Sequence, residues 1–270
     1  SQPLLGTEGG NIFSPHLPFW SPDSRFIAFF AEGKLKKTEA SGGPPHTVCD
    51  AATTEGGSWN RDGIILLGHG SGGLSRVSAS GGQPTPATTL DDSRKETSHQ
   101  WPSFLPDGRH FLFITQPSAA VYVGALDSKE RKELPLNSGS KVVYAEPGYL
   151  LFMRQGTLMA QSFDAAKLQL AGEAVPLAEN VRMYPGMYRA AFSVSDKGSL
   201  TYRAGTVAFN RDFIWVDRSG TRLGSVEQSG DYRGIALSPD EKRVAVHRND
   251  KDGSDIWPEF HTICVHYSPI

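Results

Sequence analysis

The sequence predicts an all-β chain, specifically a β-propeller of four-stranded blades, on the evidence of one strand–turn–strand unit that recurs. The clearest copy spans residues 99–115, where a Pro106-Asp107-Gly108 turn joins two strands rich in aromatic and β-branched residues. Its counterparts recur at intervals of 39, 45, 40, 49 and 44 residues, counted between successive turn positions Asp23, Asp62, Asp107, Pro147, Asp196 and Asp240. A period of about 40 to 50 residues in an all-strand chain is typical of a propeller.

The repeats divide the chain into six predicted blades, the last of them incomplete. High contents of glycine and proline, 29 and 18 residues, fit the many turns that this requires. The predicted strand regions are 16–30, 33–38 and 46–49 in blade one; 57–67, 74–78 and 85–90 in blade two; 100–115, 121–125 and 131–136 in blade three; 141–153, 157–163 and 173–177 in blade four; 189–202, 213–217 and 221–226 in blade five; and 233–248 and 255–257 in blade six. We expect residues 1–13 to complete the C-terminal blade, because closure removes an exposed sheet edge.

The predicted propeller domain covers residues 1–257, and residues 258–270 continue no repeat. After Trp257 a proline intervenes and is followed by Glu259-Phe260, the dipeptide that a common cloning site encodes in frame. We therefore interpret residues 258–270 as a non-native or vector-derived tail. A natural terminal strand remains the alternative, since residues 262–267 alternate adequately.

Composition excludes several classes of function. The formal net charge of −2 gives no electrostatic footprint for nucleic acid. The sequence contains no run of 18 apolar residues, so we predict no contact with a membrane. Two cysteines, Cys49 and Cys264, make no disulfide framework. We predict no metal and no cofactor, because the zinc-like spacing of His261, Cys264 and His266 falls in the predicted tail. There is also no Gly-x-Ser-x-Gly nucleophile motif.

Several motifs resemble a known family. Trp20-Ser-Pro-Asp23, Leu237-Ser-Pro-Asp240 and the paired glycines 42–43 and 81–82 resemble the TolB-type, WD40-like propeller. Residues 213–220 and 254–257 look most like propellers appended to bacterial membrane serine/threonine kinases. This resemblance implies a sensor or interaction module on the extracytoplasmic side of the membrane, periplasmic or at the cell surface. The predicted fourth turn lacks the aspartate and the fifth lacks the proline, and no kinase motif is present.

Candidate site residues come from the strand that lines the channel in each blade. The positions seven before each turn residue should meet at the channel mouth, next to His99, Tyr188, Asp231 and Tyr232. Such a ring suits a polar or anionic ligand, because arginine binds carboxylates in bidentate fashion. A hydrated channel of mutually satisfied charges is the alternative. These six positions are His16, Glu55, Gln100, Ser140, Arg189 and Arg233.

The preferred function is non-catalytic recognition of a protein or of a polar or saccharide ligand at the channel mouth. The alternative is a hydrolase acting on glycosidic bonds, which would need two facing carboxylates. Tyr184, Tyr188 and Tyr232 could stack on sugar rings there. A third alternative is that the chain is a fragment with no function of its own. The sequence gives no indication of the oligomeric state. The candidate carboxylates are Glu55, Asp91, Asp92, Glu96, Glu179, Glu227 and Asp231.

Overall fold

The computed structural model describes residues 18–51, 55–184, 187–195 and 200–202 with their side chains, and several strand backbones between residues 210 and 260. The chain divides into two compact units, Ser1–Ala204 and Gly205–Ile270. Apart from one 3₁₀ turn at Asp92–Arg94, every regular element in the described residues is a β-strand. The predicted all-β class is confirmed.

The first unit contains four antiparallel sheets of four strands, and in each sheet every strand pairs with the next one along the chain. This is the blade pattern that the repeats predict. The sheets comprise β1 (Phe19–Trp20), β2 (Phe26–Ala31), β3 (Lys34–Glu39) and β4 (His46–Asp50); β5 (Gly57–Trp59), β6 (Ile64–Leu67), β7 (Ser75–Ser78) and β8 (Thr85–Pro86); β9 (Ser98–Phe104), β10 (His110–Gln116), β11 (Val121–Ala125) and β12 (Ser128–Leu134); and β13 (Val143–Ala145), β14 (Tyr149–Arg154), β15 (Thr157–Asp164) and β16 (Gln169–Ala178).

The hairpin of the third sheet forms as its turn residues predict. Gly108 adopts a φ of 69°, and its N–H donates to the carbonyl of Leu105 at 2.9 Å. The carboxylate of Asp107 accepts hydrogen bonds from the backbone N–H groups of Arg109 and His110, at 3.0 and 2.9 Å. Gly108 and Asp107 therefore provide the backbone conformation and the hydrogen bonds of the turn from within the turn itself. This fixes the register of β9 against β10.

The hydrophobic core lies between consecutive sheets. Side chains along a strand alternate between two faces, so neighbouring residues of one strand enter different clusters. In β6, Ile65 packs towards the first sheet, whereas Leu66 packs with Phe111 of the third. In β14, Leu150 joins the cluster shared with the third sheet, and Leu151 joins the one shared with Phe192. This sheet-on-sheet order is how propeller blades pack.

The remaining strands of the first unit form two short pairs. β17 (Met183–Tyr184) pairs with β18 (Arg189–Ala190), and β19 (Phe192–Val194) pairs with β20 (Leu200–Tyr202). The predicted first hairpin of blade five corresponds to β19 and β20. Its predicted outer strands correspond to β22 (Ile214–Val216) and β23 (Arg222–Ser225), which pair with each other in the second unit. The described residues thus show blade five as separate pairs.

The second unit also holds a four-stranded sheet in the order β21 (Asn210–Arg211), β24 (Gly230–Leu237), β25 (Arg243–Asp250) and β26 (Gly253–Phe260). β26 runs past Trp257, with Pro258 opposite Ala245. β26 is the outermost strand of this sheet in the described residues, and proline is tolerated on such strands. The boundary at residue 257 stays a prediction, and residues 1–13 and 261–270 lie outside the described residues.

Candidate functional site

The leading ends of four successive repeats meet in the first unit. The backbone N–H of Trp101 in β9 donates to the carbonyl of Glu55 at 2.8 Å, and the Trp101 indole Nε1 donates to the carbonyl of Met187 at 2.9 Å. The N–H of Lys141 donates to the carbonyl of Tyr188 at 2.7 Å. We call Glu55, Trp101, Lys141 and Arg189 the mouth cluster, because these hydrogen bonds join the segments that hold them.

An extra residue in β9 and the close approach of Gly56 to Trp101 shape this cluster. Ser103 pairs with Leu112 and Gln100 pairs with Ile114, so β9 carries one more residue than β10 between these pairs. Trp101 lies in this bulge with a φ of 55°. A Cβ at Gly56 would lie 2.8 Å from the Trp101 ring, so only a glycine leaves room for the indole.

Arg189 presents a guanidinium that no protein acceptor holds in the described part of the chain. Its Cζ lies 4.3 Å from the ring centroid of Tyr184, a cation–π contact. The ion pairs and side-chain hydrogen bonds formed among the described residues do not include this group. The described residues therefore supply no acceptor for the five N–H donors of this rigid fork.

The other two ionisable groups of the mouth cluster have shifted pKa values. Burial raises the pKa of Glu55, and the positive charge of Arg189 opposes part of that shift. Burial, and then the charge of Arg189, lower the pKa of Lys141 to about 8. The Lys141 Nζ donates to the carbonyl of Phe192 at 2.8 Å and lies 4.9 Å from the centroid of that ring. The site therefore contains two cationic groups against one carboxyl group that is hard to ionise.

Two of the predicted channel residues serve the fold instead. Gln100 is buried, and its Nε2 donates to Ser98 Oγ at 3.1 Å. Ser140 is fully buried; its hydroxyl donates to the carbonyl of Lys141 and accepts from the N–H of Met153. In the third and fourth repeats the member of the mouth cluster is the residue that follows the predicted one, Trp101 after Gln100 and Lys141 after Ser140. Trp101 was missed because the extra residue in β9 shifts the register there, and Lys141 because it precedes β13, where strand alternation does not apply.

His99, predicted beside the mouth, belongs to a buried network in the third sheet. Its Nε2 lies 3.0 Å from the Glu96 carboxylate, and its Nδ1 lies 2.7 Å from Thr88 Oγ1. Arg131 binds both oxygens of Glu96, at 2.8 and 2.9 Å. The side chains of His99 and Glu96 are 0% and 2% exposed. We call these four residues the blade-three network; its polar groups already have partners, so it offers little to a ligand.

The network also sets the protonation of its members. Burial lowers the pKa of His99, which the hydrogen bond to Glu96 only partly opposes. Burial alone would raise the pKa of Glu96, but hydrogen bonds from Arg131 and His99 outweigh it and hold that pKa below its ordinary value. Glu96 is therefore ionised within the fold while His99 is neutral at pH 7.

The remaining candidates lie apart from the mouth cluster or outside the described side chains. Asp92 and Glu179 are exposed. Asp91 caps the 3₁₀ turn and lies 3.4 Å from Arg131. His16 and Glu227 fall outside the described residues. Three further candidates lie on β24 of the second unit, where the backbone alone is described: Asp231, Tyr232 and Arg233.

A second concave region lies between the turns of the first two sheets. This cleft of about 460 Å³ is lined by residues that include Asp23, Trp59, Asn60 and Arg61. Asp23 accepts from the Ser21 hydroxyl at 2.5 Å, and the Asn60 amide donates to the carbonyl of Gly108 at 2.7 Å. Its carboxylate and amide are thus already engaged within the protein, unlike the guanidinium of Arg189.

The described residues contain no cluster of three or more histidine, cysteine, aspartate or glutamate side chains arranged to hold a metal ion. They also contain no helix long and apolar enough to cross a membrane.

Comparisons with known proteins support the fold. No protein-family model and no curated protein sequence matches the chain. Among solved structures, hydrazine synthase from Kuenenia stuttgartiensis matches with a TM-score of 0.51 and 13% identity, over 91% of this chain and 77% of that one. A gluconolactonase from Xanthomonas campestris matches with a TM-score of 0.50 and 14% identity, over 89% and 84%. The chain has the β-propeller fold.

TolB from Acinetobacter baumannii is a further match, at a TM-score of 0.46 and 15% identity. The match covers 91% of this chain, which spans only 60% of that TolB chain. The four-stranded antiparallel sheets described above confirm the predicted propeller architecture of four-stranded blades. At these identities the likeness concerns the fold alone.

Proposed function

We propose that the chain is a non-catalytic recognition propeller that binds a polar ligand or a protein through an anionic group, at the mouth cluster. The observation that carries the proposal is the Arg189 guanidinium, which is stacked on Tyr184 but has no protein acceptor in the described residues. A carboxylate matches its fork in bidentate fashion. Lys141 adds a second positive charge next to it.

The proposed ligand can be a free small molecule, a saccharide acid or an acidic side chain of a partner protein, since all three present the same carboxylate. Net positive charge at the mouth would favour any of them over a neutral ligand. Trp101 and Tyr188 supply apolar surface beside the charged groups. As with TolB-type propellers, we place the parent protein on the extracytoplasmic side; fusion to alkaline phosphatase, which is active only outside the cytoplasm, tests this.

The test is a titration of the chain with oxalate and with gluconate, followed by thermal unfolding. A ligand at a hundred times its Kd stabilises the folded state by about 2.7 kcal/mol, which raises the melting temperature measurably. The variant Arg189→Gln should abolish that rise. Arg154→Gln is the matched control, because Arg154 also stacks on an aromatic ring, that of Phe152, but lies outside the mouth cluster. Equal shifts in wild type and Arg189→Gln would overturn the proposal.

A hydrolase is the second candidate function, and the raised pKa of Glu55 favours it. A raised pKa keeps a carboxyl group protonated to a higher pH, as the role of a general acid requires. A glycosidase also needs a facing carboxylate, and Glu96 is committed to the blade-three network. The solved structures of this fold include a gluconolactonase. A panel of chromogenic glycosides, esters and gluconolactone tests this candidate: turnover lost in Glu55→Gln would support it.

A further inference from the structure

The cleft between the turns of the first two sheets has a wall of two aromatic rings. The rings of Phe26 and Trp59 both line it and are stacked, with their centroids 6.3 Å apart and an angle of 28° between their planes. Both residues are half-buried, so part of each ring stays accessible. At about 460 Å³ the cleft lies within the range of roughly 300 to 1,000 Å³ that is typical of small-molecule sites.

Two polar groups that line this cleft retain hydrogen-bonding capacity within the described part of the chain. The Asp23 carboxylate accepts from the Ser21 hydroxyl and from the Arg25 N–H through Oδ1, and no hydrogen bond among the described residues uses its Oδ2. Arg61 is exposed, and the hydrogen bonds and ion pairs among the described residues do not include its guanidinium. The cleft therefore offers one acceptor and one forked donor beside its aromatic wall.

The charges around the two rings favour a neutral ligand. Lys37 Nζ lies 5.2 Å from the ring centroid of Phe26 and 5.9 Å from that of Trp59, and Arg25 Cζ lies 5.7 Å from the centroid of Phe26. These two cations already interact with the rings and would repel a positively charged ligand. The carboxylate of the cleft opposes a simple anion in turn. A molecule whose hydroxyl groups both donate and accept suits the carboxylate and the guanidinium together.

We propose that this cleft binds a neutral saccharide ring, at a site separate from the mouth cluster. The C–H face of the sugar lies against Phe26 and Trp59. One hydroxyl group donates to Asp23 Oδ2, and the oxygens of two neighbouring hydroxyl groups accept from the Arg61 guanidinium. The sugar thereby supplies in one molecule the apolar face, the donor and the acceptors that the lining of the cleft needs.

The cleft and the mouth cluster lie at opposite ends of β5. Glu55 precedes this strand, whereas Asn60 and Arg61, which line the cleft, follow it. A strand rises by about 3.3 Å per residue, so the residues that flank β5 are on the order of 13 Å apart. A single sugar ring in the cleft therefore does not reach Glu55, and this inference does not rest on the proposed function.

The test is saturation-transfer difference NMR of the chain with the methyl glycosides of glucose, galactose and mannose as probes. Saturation should be strongest on the ring C–H protons of one face of the sugar, because that face lies against the aromatic wall. Trp59→Leu keeps an apolar side chain but removes the flat ring, and it should weaken binding about tenfold, the scale of a stacking contact. Asp23→Asn should weaken binding about tenfold as well, because its amide oxygen can still accept from Ser21 while an NH₂ donor replaces the free acceptor.

Arg61→Gln is the variant that disturbs the fold least, because the side chain is exposed. It should weaken sugar binding about tenfold, the scale of a hydrogen bond to a charged group, and leave the melting temperature unchanged. Arg109→Gln is the matched control. Arg109 lies at the next turn and is about as exposed, but it does not line the cleft, and Asp127 holds it at 2.8 Å. This control variant should bind the sugar as the wild type does.

Any of three results would overturn the proposal. The first is no saturation transfer to any of the three glycosides, and the second is equal binding by the wild type and Arg61→Gln. The third is displacement of the glycoside by oxalate, the probe for the mouth cluster, because the sugar would then lie at the mouth. Phenylalanine, a zwitterion with an aromatic side chain, is the competing ligand class. If it binds in an Arg61-dependent manner while no glycoside binds, the cleft is a site for an amino acid and the saccharide is refuted.

Discussion

Replacing Glu96 with glutamine tests whether the blade-three network stabilises the first unit. The carboxylate is 2% exposed and accepts from both Nη atoms of Arg131, which is itself 17% exposed. It also contacts His99 Nε2 at 3.0 Å. Glutamine has the same shape but carries no charge, so Arg131 would remain a poorly solvated cation with one acceptor fewer.

Breaking a buried ion pair by removing one partner costs about 3 to 5 kcal/mol. Glutamine keeps one oxygen that can accept from Arg131, so we expect a loss of about 3 kcal/mol in the free energy of unfolding, at the lower end of that range. Urea unfolding followed by circular dichroism at pH 7 measures this difference, provided that the slope with denaturant stays constant.

Glu133→Gln is the matched control. Glu133 also accepts from an arginine, Arg94, at 2.7 Å, but the two side chains are 47% and 53% exposed. Exposed ion pairs contribute little that can be measured. If Glu96→Gln unfolds at the same urea concentration as Glu133→Gln, the network does not stabilise the fold and the reasoning from burial fails.

Two further predictions concern the pH dependence of stability and the packing of a glycine against Glu55. Because burial lowers the pKa of His99 in the folded state, the unfolded chain binds a proton first, and stability should fall as the pH drops below about 6.5; the depressed pKa of Glu96 adds a second loss below about 4.3. His99→Gln should flatten the first step in urea midpoints measured between pH 7 and 5, and an unchanged slope would contradict this. Gly68→Ala should cost about 1 to 3 kcal/mol and weaken ligand binding, because the added Cβ would lie 2.3 Å from the Glu55 carbonyl oxygen. Gly70→Ala, with open space at that position, should be neutral in the same unfolding and titration assays.

The sequence was a good guide to the blades because local chemistry determines them. A turn such as residues 105–109 is fixed by its own aspartate and glycine, and alternation along a strand decides which side chains are buried. The predicted strands of blade five fall in both units, and the described residues show them as the pairs β19–β20 and β22–β23. A period in the sequence predicts hairpins, whereas a sheet depends on contacts between hairpins.

The site was predicted less well, and the reason is a matter of register. Counting back seven residues from each turn assumes an unbroken two-residue alternation. It led to Glu55 and Arg189, which belong to the mouth cluster, but in blade three the extra residue in β9 moves the mouth position from Gln100 to Trp101. In blade four the count led to Ser140, whose side chain is buried, and not to its neighbour Lys141. Both residues precede β13, so the two-residue alternation on which the count depends does not hold there.

The three polar regions of the described chain differ in how far the protein itself satisfies them. In the blade-three network both oxygens of Glu96 and both nitrogens of His99 have partners. In the cleft beside Asp23 the Asp23 carboxylate and the Asn60 amide are also engaged, whereas Arg61, which lines the same cleft, is exposed. At the mouth cluster the guanidinium of Arg189 lacks an acceptor among the described residues. Buried or half-buried polar groups normally find partners in a stable fold, and in the proposed function the carboxylate of a ligand is the partner of Arg189.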